Sequence, residues 1–250
     1  MGQIRKIDLF KVLLRSFYIQ STWNAERLLG LGFCFSIIPI ARRLFSDKNN
    51  LIDFLKRHLE FFNSHPYMAT FALGATASIE EQAILKNWDN KRPISVFKSR
   101  IVGPLGALGD TFFWQLIRPV LGLLAVVLLY YVGIWGTLVY FTLYNILHLG
   151  IRIRGLYESY SKGFDIVRVL SFRGTQKYFD LINYISASLM GIELVLIMNK
   201  IFQEPSSWKG IFVFVLAALV SYFLMRRKKI TIDLLIVIIV CSSIIIGLVI

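Results

Sequence analysis

Long apolar runs alternate with short basic stretches along the chain. Residues 119–149 carry no charged side chain. At about 1.5 Å per residue, one straight helix of that length would exceed the roughly 30 Å hydrocarbon core of a bilayer. Because Gly133 lies near the middle of this run, the pattern predicts a tight helical hairpin. Arg118 before the run, and Arg152 and Arg154 after it, predict that both ends lie at the cytoplasmic face.

The C-terminal part of the sequence predicts further membrane-spanning helices at 181–198, 211–225 and 232–250. Residues 152–180 are polar and net basic, which predicts the largest cytoplasmic loop. The run of four cations from Arg226 to Lys229 also indicates the cytoplasmic side. With a cytoplasmic N-terminus, this order of crossings predicts a C-terminus on the outer side.

Apolar stretches that are too short to span a bilayer precede the hairpin, at 28–41, 66–79 and 101–114. Each contains Gly or Pro and has polar flanks, which is typical of re-entrant segments buried in protein or lining a cavity. The alternative is that they are helices of a cytoplasmic subdomain.

Residues 1–27 have the pattern of an amphipathic helix. Cations lie between apolar residues at helical spacing, namely Ile4, Ile7, Phe10, Leu14 and Phe17. The pattern fits a helix lying on the membrane surface, and it equally fits a cytoplasmic helix packed on the rest of the protein.

Composition supports a membrane protein. Apolar residues make up 56% of the chain, the mean hydropathy is +0.63, and a soluble domain of this length would be less apolar. The net charge of +13 is spread between apolar runs without a nucleic-acid recognition motif, which favours the cytoplasmic membrane face. We expect an all-α integral membrane protein with re-entrant helical segments and about five transmembrane helices. Its predicted parts are a surface helix (1–27), a core with hairpin and loop (28–180) and C-terminal spans (181–250).

Signals for catalysis are weak. No two histidines have the spacing of a metal site, and the sequence has no phosphate-binding loop and no hydrolase motif. We therefore expect no metal and no cofactor.

Candidate site chemistry begins at Asp110, which stands in the glycine-rich segment GPLGALGDTFFW. Glycines let the backbone approach a ligand, a carboxylate accepts hydrogen bonds from hydroxyls, and an aromatic ring such as Trp114 covers the apolar face of a sugar. Asp110 could equally cap a helix at a re-entrant turn.

A second candidate cluster comprises Asn63 and the run Glu80, Glu81 and Gln82. The amides of Asn63 and Gln82 both donate and accept hydrogen bonds, which suits a hydroxyl-rich ligand. Adjacent acids point to different faces of a helix, so one could face a site while the other meets an arginine. The alternative is a solvated helix end.

Four blocks of sequence carry a family resemblance. They are QSTWNAERLLGLGFCFSIIPIARRLF (20–45), RHLEFFNSHPYMATFALGATASIEEQ (57–82), GPLGALGDTFFWQLIRPV (103–120) and YSKGFDIV (160–167). Their content and order resemble the IID membrane subunits of mannose/fructose/sorbose-family phosphotransferase systems. The chain departs from the pattern at Thr111, where members often have Pro, and in a shorter stretch after Lys200.

The resemblance implies a subunit of a multi-pass transporter in the bacterial cytoplasmic membrane. In this family a IID subunit pairs with a IIC subunit and the pairs assemble as a trimer of heterodimers. IIB, which IIA phosphorylates, passes phosphate to the incoming sugar, so the resemblance implies that this chain needs no phosphohistidine of its own. By position, the resemblance also implies that the sugar site is lined by Asn63, Glu80, Glu81, Gln82, Asp110 and Trp114.

Two other functions stay open at this point. A degenerate or regulatory IID-like protein would sense rather than transport. A membrane-embedded enzyme acting on lipid would need a metal or a pair of acids, and Glu80, Glu81 and Asp110 are its only candidates.

Overall fold

Residues 3–169 and 176–202 are described by a computed structural model, in which the regular elements are helices. The α-helices are α1 (Lys6–Ser16), α2 (Gly30–Leu44), α3 (Lys48–His58), α4 (Ala69–Leu85), α5 (Arg92–Gly109), α6 (Arg118–Val132), α7 (Trp135–Lys162), α8 (Ile166–Val169) and α9 (Gln176–Phe202). A π-helix (Asp110–Ile117) joins α5 to α6, and a 3₁₀ turn (Gly163–Asp165) joins α7 to α8. The chain divides into two compact units, Met1–Met190 and Gly191–Ile250, and the architecture below is that of the first.

Helix α4 is the centre of the core. Small residues dominate its sequence, ATFALGATASIEEQAIL, and nearly every side chain is buried. At Gly74, a β-carbon would lie only 2.1 Å from the carbonyl oxygen of Leu156. The close packing of α4 against the C-terminal half of α7 therefore depends on glycine at this position. Helices α1, α2 and α5 pack around this pair, and α3 packs on α2 and reaches α4 through Arg57 and His58.

The helix from Arg92 to Val132 runs without interruption through α5, the π-helix and α6, over 41 residues. Among the described residues, it is the one helix long and apolar enough to cross a membrane. Its length of about 60 Å is twice the thickness of a hydrocarbon core and exceeds what one crossing needs.

A hairpin follows at the point where the sequence predicts a turn. The chain reverses at Gly133, whose φ of +63° suits glycine, and α7 then packs against α6. Large apolar side chains are exposed along both legs, including Leu129, Tyr131, Ile134, Trp135, Phe141 and Ile146. An apolar surface of this extent is typical of contact with lipid or with another membrane subunit.

Several predicted boundaries are corrected by the structure. The stretch 101–114 is not a separate short segment, because it lies within the continuous helix from Arg92 to Val132. The predicted loop 152–180 is helical to Lys162, because one face of this stretch packs on α4. The predicted N-terminal helix 1–27 ends at Ser16, and turns lead from there to α2.

The other membrane predictions have mixed outcomes. Segments 28–41 and 66–79 fall largely within α2 and α4, and their depth in a membrane stays a prediction. The predicted span 181–198 lies inside α9. The spans 211–225 and 232–250, and with them the predicted outer C-terminus, lie outside the described residues.

Candidate functional site

The loop between α3 and α4 packs on α5 through His65. At Gly109, a β-carbon would lie 2.2 Å from Cβ of His65, so this helix face accepts the loop only because glycine stands there. At Gly106, one turn earlier, an added β-carbon would lie 3.8 Å from Cα of Ser64. The imidazole of His65 stacks on Phe113, with ring centroids 5.2 Å apart, and meets the edge of Trp114 at 5.5 Å.

A π-helix begins directly after Gly109. Such wide turns are rare and occur frequently at functional sites. It leaves Asp110 exposed, and Trp114 half-exposed, beside the loop that carries the exposed Asn63. Asn63, Asp110 and Trp114 therefore belong to one junction between loop and helix. Because Asp110 lies inside a continuous helix, it does not cap a helix start.

Glu80 is buried, and its carboxylate forms hydrogen bonds with residues of α3. Arg57 donates two hydrogen bonds to its carboxylate, from Nε to Oε1 at 2.8 Å and from a terminal nitrogen to Oε2 at 3.0 Å. Nε2 of His58 lies 2.9 Å from Oε1. The side chains of Glu80 and His58 are fully buried, and that of Arg57 is nearly so. This two-pronged contact is the geometry in which arginine binds a carboxylate most strongly.

Ionisation of this cluster follows from burial and charge. Burial lowers the pKa of His58 below its ordinary value; the bond to Glu80 opposes this effect, while the nearby cations Lys98 and Arg57 add to it. Burial alone would raise the pKa of Glu80, but the bonds from His58 and Arg57 outweigh burial and lower it. Nδ1 of His58 has no hydrogen-bond partner among the described residues, which fits a neutral ring whose Nε2–H donates to Glu80.

Stability should therefore fall in acid. The histidine of the unfolded chain titrates near 6.5 and the buried His58 lower, so stability is lost as the pH falls below 6.5. The lowered pKa of Glu80 adds a loss of the same sign below 4.5. We expect the unfolding temperature in detergent to decrease from about pH 7.5 to about pH 5. His58→Gln keeps a donor but cannot titrate, so it should reduce this decrease. Burial also lowers the pKa of His65, to about 4, so part of the decrease should remain; an unchanged slope would contradict the assignment to His58.

Glu81 forms its hydrogen bonds on another side of α4. Its Oε1 accepts a hydrogen bond from the backbone N–H of Ile4 at 2.6 Å, and its Oε2 accepts one from the hydroxyl of Tyr160 at 2.5 Å. The two adjacent acids thus hold different elements and do not form a two-acid site. Gln82 is half-buried and donates a long bond of 3.4 Å to Ser78.

The candidate residues thus separate into two groups. Asn63, Asp110 and Trp114 are exposed, and Trp114 contacts His65, whereas Glu80 and Glu81 are buried and hydrogen-bonded within the protein. Reasoning from the sequence missed His65 as the residue that connects the loop to the helix. The available signal was the spacing of Gly106 and Gly109, which clears one helix face for close approach.

Comparison with known proteins identifies the family. Residues 3–250 match the family model described as the mannose/fructose/sorbose family IID component of the phosphotransferase system. The mannose-specific EIID component of Escherichia coli K12 is 36% identical over 191 residues, which cover 76% of this chain and 66% of that protein. The fructose permease IID component of Bacillus subtilis 168 is 32% identical over 190 residues, covering 76% and 67%.

Solved structures agree with this assignment. The structure of the mannose transporter ManYZ in complex with microcin E492 contains a chain 28% identical in sequence, which matches with a TM-score of 0.63 over 100% of this chain and 97% of its own length. A structure described only as a membrane protein, also 28% identical, matches with a TM-score of 0.74 over 99% of this chain and 97% of its own. The chain belongs to the IID component family of mannose/fructose/sorbose phosphotransferase systems.

Proposed function

We propose that this chain is the IID membrane subunit of a phosphoenolpyruvate-dependent sugar phosphotransferase system. It would form, with a IIC subunit, the path by which a sugar enters the cell for phosphorylation by IIB. The observation that carries the proposal is the junction of Asn63, Asp110 and Trp114, which offers sugar-binding chemistry where the long apolar helix widens into a π-helix. The names of the relatives, mannose-specific, fructose and sorbose-specific, indicate a hexose as the class of substrate.

The chemistry of the junction suits a sugar. The carboxylate of Asp110 accepts hydrogen bonds from hydroxyls, the amide of Asn63 both donates and accepts, and the exposed ring of Trp114 can cover a C–H face. Glu80 and Glu81 would reach a ligand only by leaving their present partners, so we assign sugar contact first to the exposed residues. Gln82 remains a candidate as a half-buried neighbour of the two acids.

A partner subunit fits the exposed surfaces. The apolar exterior of the α6–α7 hairpin provides area for a IIC subunit as well as for lipid. We propose a heterodimer with IIC that assembles further as a trimer of heterodimers and receives IIB, which is charged by IIA. We place the N-terminus in the cytoplasm and the C-terminus outside, in a multi-pass protein of the bacterial cytoplasmic membrane.

Replacing Asp110 with Asn tests the site. The substitution keeps the shape but removes the charge that favours hydroxyl donors, so sugar uptake should fall by about tenfold, a loss of about 1.4 kcal/mol. Uptake of radiolabelled sugar is measured in cells that produce this chain with its IIC subunit. Glu26→Gln, at an exposed acid of the surface, is the matched control and should transport normally.

Membrane insertion separates a site effect from a folding effect. Asp110→Asn should reach the membrane at the wild-type level, because Asp110 is exposed and its side chain makes no hydrogen bond within the described residues. Normal uptake by this variant would remove Asp110 from the site. Loss of uptake together with loss of the protein from the membrane would assign Asp110 a structural role instead.

A further inference from the structure

Helix α1 has apolar residues on two faces. One face packs against α2 and buries Leu9, Val12 and Leu13. The other face carries four large apolar residues that are each close to half exposed, namely Ile7, Phe10, Leu14 and Phe17. A helix with an exposed apolar face next to cations is typical of a segment that lies in the membrane interface.

A cationic groove borders this apolar face. It has a volume of about 480 Å³, and the cations that line it are Arg5, Lys11, Arg15, Arg42 and Arg43. Among the described residues, Asp8 is the one acid lining it; its side chain is almost fully buried and lies 3.4 Å from Arg5 and 3.7 Å from Arg43. The groove therefore keeps a net positive charge after this acid is paired.

Three of these cations differ in their contacts. Arg15 donates to the carbonyl oxygen of Phe35 at 3.2 Å and lies 4.7 Å from the centre of its ring, which orients the guanidinium. Lys11 and Arg42 are exposed, and their side chains donate to no group in the part of the chain that the structure describes. They are thus available for an anion at the groove.

We propose that the groove between α1 and α2 binds the phosphate headgroup of an anionic phospholipid. Leu14 belongs both to the wall of the groove and to the exposed apolar face, so phosphate and acyl chains would meet adjoining surfaces. A soluble phosphate would use only the cations. The lipid uses both features, which is why we favour it.

The test compares lipids on the full chain in a neutral detergent. Short-chain phosphatidylglycerol is titrated, with phosphatidylcholine of the same chain length and glycerol phosphate as parallel ligands, and binding is followed by the shift in unfolding temperature. We expect phosphatidylglycerol to bind and the other two to bind weakly. The double variant Lys11→Gln with Arg42→Gln should weaken phosphatidylglycerol binding by about thirtyfold, from about 1 kcal/mol per cation near the membrane surface.

Matched variants make the test decisive. Lys48→Gln with Lys56→Gln removes two exposed cations from α3, away from the groove, and should leave binding unchanged. Lys11→Arg with Arg42→Lys keeps both charges and should retain binding, even if the glutamine pair folds poorly. Equal binding of glycerol phosphate would overturn the lipid assignment. Equal loss in the α3 variant, or no loss in the groove variant, would overturn the site.

Discussion

Replacing Glu80 with Ala is expected to lower the free energy of unfolding by about 3 kcal/mol, because it leaves the largely buried Arg57 without its counter-ion. Arg57 would lose two hydrogen bonds and His58 its contact with the carboxylate. The measurement is the unfolding temperature of the purified chain in detergent, together with its level in the membrane. We expect both to fall sharply.

An exposed ion pair provides the control. Glu26 lies 3.3 Å from Arg27 and its side chain is 78% exposed. Glu26→Ala should change the free energy of unfolding by less than about 1 kcal/mol, because solvent screens such pairs. If the two alanine variants were equally stable, the internal network around Glu80 would not be the anchor that we describe.

Gly109→Ala should displace His65 and with it the proposed sugar site. The added methyl would overlap Cβ of His65, which lies near the backbone and cannot simply rotate away. Overpacking of this kind costs about 1–3 kcal/mol, and the movement of the loop should also reduce sugar uptake. We would measure uptake and the unfolding temperature on the same preparations.

The same helix supplies the matched control, six residues earlier. Gly103 is exposed, and a β-carbon added there meets nothing within 4 Å. Gly103→Ala should be neutral or stabilise the helix by up to about 1 kcal/mol, since alanine is the better helix former. Normal behaviour of both variants would mean that the contact between Gly109 and His65 does not position the site.

The hairpin was predictable because its signal is local. A run without charges around Gly133 contains both the apolar length and the turn residue, and no distant partner is needed to interpret it. The end of α7 was not predicted, although Arg154, Glu158 and Lys162 recur at four-residue spacing and form ion pairs along one face. That spacing is typical of the solvated face of a helix, and polarity alone was mistaken for a loop.

The internal bonds of the candidate site could not be predicted from the sequence. The sequence showed that Glu80 and Glu81 point apart, and the structure adds that Glu80 meets Arg57, 23 positions away, while Glu81 meets Tyr160, 79 positions away. These pairings arise from the packing of α3 and α7 on α4. A single sequence contains no local trace of such contacts, whereas the glycines at 106 and 109 did mark a close approach.

The transport role is tested most directly by phosphorylation of sugar in membrane vesicles supplied with phosphoenolpyruvate and the soluble phosphocarrier proteins. We expect phosphorylated hexose only when the vesicles contain both this chain and its IIC subunit. Tagged chain and IIC should also co-purify from these membranes in equal amounts. Phosphorylation at the same rate in vesicles that lack this chain would show that it is not the transport subunit that we propose.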